Sequence, residues 1–190
     1  MILKKRMLCY NKIQCKSQRK FEKKLMKVTH PLDPVFDKDS QILILGTMPS
    51  PKSRENGFYY MHPQNRFWRV ISELLGEPLP QTNDEKRALL LRRHIALWDV
   101  LESCEINGAD DGSIKSPSAN DFGVILKAAD IKAVFTTGGK AAQLYKKLCL
   151  PKTGLEAKPL PSTSPANCRY YSYEALLRAY GILLEYLKDG

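Results

Sequence analysis

The sequence predicts an α/β fold: a three-layer α/β/α sandwich around a mostly parallel four-stranded sheet. Residues 42–45 (ILIL) form an apolar run between polar neighbours, ended by Gly46. That is the pattern of a short strand buried on both faces. After a loop, the spacing turns helical, with Phe67, Trp68, Ile71, Leu74 and Leu75 on one face. Strand-then-helix pairs of this kind recur along the chain without internal repeats, as in parallel sheets built with crossover helices.

Each element can be justified in turn. Residues 1–28 carry ten Lys/Arg against a single acid, Glu22. They read as a disordered or loosely helical arm, as an arm making non-specific phosphate contacts, or, if translation starts at Met26, as mostly extraneous. Residues 29–190 read as a single domain, since 190 residues hardly supply two cores. Residues 30–37 (HPLDPVFD) hold two prolines and read as an extended approach to the first strand. Residues 47–63 hold three prolines and Gly57, so they form a loop long enough to imply function.

Residues 84–93 are a charged helix containing Leu89, Leu90 and Leu91, and residues 95–101 (IALWDVL) a second strand interrupted by Asp99. Residues 107–118 read as loop by composition, and 121–128 as a short helix capped by Asn120 or Asp121. Residues 131–137 form the third strand; Gly138 and Gly139 then lead into a helix over 140–148. That junction either presents backbone N–H groups to an anion or is a plain tight turn. A fourth strand over 154–160 ends at Pro161, and a Ser/Pro-rich loop follows at 162–169. The last helix spans 173–188, burying Leu176, Leu177, Tyr180, Leu183, Leu184 and Leu187.

Composition narrows the function. The net charge of +10 points to nucleic acid, yet residues 29–190 hold 20 bases against 19 acids. Any basic surface on the domain is therefore a local patch. The five cysteines (Cys9, Cys15, Cys104, Cys149, Cys168) show no CxxC and no metal-ligand spacing, and read as reduced thiols of an intracellular protein. With only three histidines (His30, His62, His94), a His-rich metal site is not expected. No apolar run approaches the roughly 18 residues of a membrane span.

Two loops carry the candidate chemistry, each placed after a strand whose carboxyl end lies on the same sheet edge. The first holds Gly46, Thr47, Met48, Pro49, Ser50, Tyr60, His62 and Asn65; the second holds Ser162, Thr163, Ser164, Pro165 and Asn167. Small residues and prolines let backbone approach a polyanion, hydroxyls bond phosphate oxygens, and aromatic rings stack on an extruded base. The motifs LILGTMPS, YYMHPQNRFW, ALWDVL and LPSTSPAN, in this order, resemble the uracil-DNA glycosylase superfamily from about Pro31 onward. Within it the hypoxanthine (deoxyinosine) DNA glycosylases are most similar.

The resemblance implies a monofunctional base-excision glycosylase for deaminated bases, hypoxanthine first, with removal of uracil or mismatched thymine as the alternative. A silent nucleic-acid-binding module is the rival from another class. Mismatch-specific relatives share the HP-x-NRFW pattern but have Asn where this chain has Met48. A thioether is too weak an acceptor to hold the attacking water, so the polar group must come from elsewhere. The hypoxanthine branch implies Asn65 as that catalytic residue; its structural alternative is a helix N-cap.

Tyr60 falls where relatives stack an aromatic on the flipped base, or it is a core aromatic. His62 bonds phosphate or base, or fixes the loop. Asp99 falls where relatives read the base, and a carboxylate there accepts the N1–H that hypoxanthine has and adenine lacks. Otherwise it is a buried paired Asp or a cap. Gly46, Thr47 and Met48 complete the expected base pocket. Pro49, Ser50, Ser162, Thr163, Ser164, Pro165 and Asn167 are the expected DNA contacts. The second loop lacks the His of the classical uracil enzymes, and neither loop holds a Lys at its catalytic position, which implies hydrolysis by water without strand cleavage. The cysteine spacing excludes the iron–sulfur cluster of some branches. The expectation is a cytoplasmic monomer acting on DNA that contains deaminated bases, without cofactor or metal.

Overall fold

The computed structural model describes residues 25–187. Four parallel strands form the main sheet: β2 (Ile42–Gly46), β3 (Ile95–Asp99), β6 (Ala133–Thr137) and β7 (Ala157–Leu160), in the order β3-β2-β6-β7. Every residue of β2, β3 and β6 is buried, so both sheet faces are covered. That explains their unbroken apolar composition. Strand β7 lies at the edge, half exposed, and tolerates Pro159 because one side makes no ladder.

Helices α1 (Pro51–Glu55), α2 (Phe67–Leu74) and α3 (Asn83–Arg92) separate β2 from β3. Helix α1 breaks the long loop expected after β2. Ser50 caps it by accepting from Ser53 N at 3.2 Å, and Pro51 starts it. Helix α3 begins with a capping box between Thr82 and Glu85 and packs against β3. After β6, α5 (Gly139–Leu148) packs on β6 and β7, with α4 (Gly123–Leu126) before β6 and the single turn α6 (Leu150–Thr153) before β7. Helix α7 (Tyr173–Tyr180) packs on α2. It stops seven residues after its start and continues as a 3₁₀ turn, Gly181–Glu185, where one longer helix was expected.

A second sheet was not foreseen. Strands β1 (Met26–Thr29), β4 (Leu101–Asn107) and β5 (Asp110–Ala119) pair antiparallel in the order β1-β4-β5. Strand β1 thus lies inside the segment expected to be an arm, and residues 1–24 lie outside the described residues. Residues 110–118, expected as loop, are strand instead. Their polar, small composition and Pro117 hide the alternation, and several register shifts interrupt the pairing with β4. Nor do Asn120 or Asp121 cap α4 in the expected way. Phe122 occupies the cap position, Asp121 accepts from Gly123 N just before the helix, and Asn120 donates to the carbonyl of Asp99.

Topology sets where a site can form. β3 lies on one side of the first main-sheet strand, β2, and β6 on the other. The chain changes direction across the sheet there, leaving a crevice at the carboxyl ends of β2 and β6.

Candidate active site

A cavity of about 540 Å³ occupies that crevice. This is within the size range of small-ligand sites, roughly 300–1,000 Å³. Gly46, Thr47, Met48, Pro49, Ser50, Tyr60, Asn65, Asp99, Ser162, Thr163 and Ser164 all line it. His62 does not; its Nδ1 accepts from Gln64 N at 3.2 Å, so it fixes the turn before α2. Pro165 and Asn167 also stay off the wall. Pro165 opens a 3₁₀ turn, and Asn167 donates to Ser162 O at 2.7 Å, holding the second loop closed.

The floor is set by Gly46. A Cβ there would sit 2.2 Å from Asp99 Oδ1 and 3.2 Å from the Tyr60 hydroxyl, so only glycine lets these two groups converge. Asp99 is buried, and its Oδ2 accepts from His30 Nε2 at 2.9 Å. Leu32 N donates to His30 Nδ1, which puts the ring hydrogen on Nε2, pointing at the carboxylate. One oxygen of Asp99 is therefore committed to His30, while Oδ1 lies over Gly46.

Tyr60 holds a left-handed backbone conformation, φ 57°. Its ring lies flat on Phe67, centroids 3.8 Å apart and planes 11° from parallel. Its hydroxyl bonds Thr137 Oγ1 at 2.9 Å, at the end of β6. Burial, reinforced by the Asp99 charge, pushes the phenol well above its usual range, so Tyr60 stays neutral.

Asn65 joins the two loops. Its Oδ1 accepts from Phe67 N and from Thr163 Oγ1, both at 2.9 Å. A backbone N–H can only donate, so the carbonyl oxygen of the amide must face it. The NH₂ group is what Asn65 has left for the cavity. Thr163 O in turn accepts from Arg66 N at 3.1 Å, and Arg66 Nη1 donates to Tyr171 O at 2.7 Å. Asn65 thus acts at the start of α2 in a cap-like way, although Arg66 holds the formal cap position.

Several lining residues escaped the sequence reading. The β4–β5 hairpin reaches the rim, and Gly108 to Gly112 line the cavity. Asp111 accepts from Thr47 Oγ1 at 2.8 Å across 64 residues of chain. Burial raises its carboxyl above the usual range; the Thr47 hydroxyl opposes this, and the charge of Asp99 adds to it. The pair Asn107–Gly108 is the hairpin signal that could have revealed the turn. His30 carried no comparable signal, because its partner lies 69 residues away. Among the described residues no group of three or more His, Cys, Asp or Glu is arranged to hold a metal, and no helix is long and apolar enough to cross a membrane.

Comparison with known proteins agrees with this architecture. The family model described as "Uracil DNA glycosylase superfamily" matches residues 34–188. The chain is 38% identical over 138 residues to the hypoxanthine DNA glycosylase of Methanosarcina barkeri, covering 72% of this chain and 86% of the relative. It is 36% identical over 137 residues to the protein of the same name from Methanosarcina acetivorans, covering 72% and 86%. A solution NMR structure of a Methanosarcina acetivorans protein, provisionally described as a uracil DNA glycosylase, superposes with a TM-score of 0.70 at 30% identity, covering 84% of this chain and 99% of that one. This chain belongs to the uracil DNA glycosylase superfamily.

Proposed function

We propose that this protein is a monofunctional DNA glycosylase that removes deaminated bases, hypoxanthine first, by hydrolysing the N-glycosidic bond. The observation that carries the substrate reading is the pairing of Asp99 with His30 beneath Gly46. One carboxylate oxygen is held by the imidazole, leaving the other as an acceptor at the cavity floor. Hypoxanthine presents an N1–H to such an acceptor; adenine presents a lone pair and is repelled. Tyr60, braced by Phe67, supplies a flat wall for the base. Curated relatives named hypoxanthine DNA glycosylase support the same substrate.

Asn65 is the residue we assign to catalysis. Its NH₂ group orients water or the sugar once the base is seated, and serves a reaction in which the glycosidic bond breaks largely before attack. His62, although off the cavity wall, stays with Gly46, Thr47, Met48, Tyr60 and Asp99 in the base-pocket proposal only through the turn it holds. Pro49, Ser50, Ser162, Thr163, Ser164, Pro165 and Asn167 form the proposed DNA-facing rim. Both loops come from one chain, which supports action as a monomer, and the DNA substrate supports a place inside the cell.

The test is release of free base from labelled oligonucleotides containing inosine, uracil or a G/T mismatch. Release of hypoxanthine with an intact strand is expected. Binding without release of any base overturns the enzyme reading, and faster release of uracil or thymine overturns the substrate ranking.

A further inference from the structure

A group that takes the proton of the attacking water assists hydrolysis, and the two loops bring none to the cavity, since His62 lies off its wall with Nδ1 accepting from Gln64 N. Met48 is a thioether, and the only accepting atom of Asn65 is occupied by Phe67 N and Thr163. The NH₂ group of Asn65 can hold a water by its oxygen but cannot deprotonate it. Asp99 is committed to His30 through Oδ2, and its Oδ1 is the acceptor assigned above to the N1–H of the base. Two further carboxylates line the cavity, Asp110 and Asp111, both from the unforeseen hairpin; Asp110 is exposed and accepts from Gly112 N in the turn, whereas Asp111 is part-buried.

We propose that Asp111 is a catalytic residue, the acceptor that holds and deprotonates the attacking water in the cavity that Asn65 also lines. This rests on the glycosylase reading above. Thr47 fixes Asp111 Oδ2 at 2.8 Å, beside the very loop position that the Met48 thioether leaves without an acceptor. Oδ1 makes no hydrogen bond among the described residues, and the residue lines the cavity. A carboxylate held by one oxygen and free at the other, in the same cavity as an amide NH₂, can grip a water between acceptor and donor.

The step balances without any added reagent. The bond from C1′ to the purine nitrogen breaks, and its electron pair leaves with the purine. The water oxygen bonds C1′, and the water proton moves to Asp111 Oδ1. That proton then passes to the purine anion or to solvent, giving an abasic sugar and free hypoxanthine. The groups facing Asp111 are Asp99 on β3, Asp110 on the hairpin, Lys140 on α5, Tyr60 on the first loop and Cys104 on β4. Burial and the nearby Asp99 strengthen Asp111 as a base; the Thr47 hydroxyl keeps it ionisable.

The test is single-turnover base release across a pH series by the full chain, by Asp111→Asn and by Thr47→Val. It is run on inosine and uracil oligonucleotides, with binding and thermal melting measured alongside. Asp111→Asn is expected to slow release about 100-fold or more and to abolish the acid limb, while binding holds and the melting temperature does not fall. Thr47→Val is expected to move the acid limb to higher pH, because the hydrogen bond that favours the ionised form is gone. A mutant Asp111→Asn within about threefold of the parent, with the acid limb intact, overturns the inference; so does an unmoved limb in Thr47→Val. If the parent releases uracil and not hypoxanthine, the substrate ranking fails while Asp111 is still judged on uracil. Release of neither overturns both.

Discussion

Thr163 donates its hydroxyl hydrogen to Asn65 Oδ1 at 2.9 Å, joining two loops that lie 98 residues apart in the chain. Because Phe67 N donates to the same oxygen, the amide has one available orientation. Asn65→Ala is therefore expected to lower the single-turnover rate by about 10²–10³, the usual cost of losing one positioned donor. DNA affinity should be kept. Thr163→Val leaves Asn65 oriented by Phe67 N alone and unties the second loop from it, so a smaller loss is expected, about tenfold, with roughly 1 kcal/mol of stability. Equal rates for parent and Asn65→Ala would remove that residue from the mechanism.

Gly46→Ala tests the convergence at the cavity floor. The added methyl would meet Asp99 Oδ1 at 2.2 Å, and that carboxylate is already tied to His30. Loss of base release is expected, together with about 1–3 kcal/mol of destabilisation from overpacking. Chemical denaturation measures the second effect, and a variant as stable and active as the parent would contradict the close approach.

Asp99→Asn is expected to narrow the preference for inosine over adenosine-containing DNA about tenfold, a change of about 1.4 kcal/mol. The amide offers a donor as well as an acceptor where the carboxylate offered acceptors alone. An unchanged ratio of rates on the two substrates would show that base reading happens elsewhere.

Asp111→Asn should separate stability from activity. Burial holds the Asp111 carboxyl above its ordinary range, so the unfolded chain ionises it first. Folded stability is then lost as pH rises from the ordinary carboxylate range through the raised value. The neutral amide escapes that loss. The variant is expected to melt above the parent at neutral pH and level with it in acid below the carboxylate range. A lower melting temperature at neutral pH would show that the charge stabilises the hairpin.

The main sheet was legible because its strands are short and its three central ones are apolar runs buried on both faces. Ile42–Gly46 and Ala133–Thr137 could hardly be anything else once flanked by helical spacing. The second sheet was not, since Asp110–Ala119 is polar on both faces and held by pairing rather than by burial. The same reason hid Asp111: its role depends on where a hairpin leans, not on local pattern. Asn65, Asp99 and Tyr60 were found through motif resemblance, but their partners Thr163, His30 and Phe67 emerge only from the three-dimensional contacts.

Strand β1 pairs with β4 through Met26–Thr29 and passes directly into His30, the residue that grips Asp99. The polypeptide that the cavity floor requires therefore reaches at least as far back as His30. A shortened chain opening at Met26 retains the imidazole; one opening at Pro31 would leave a buried carboxylate without its clasp.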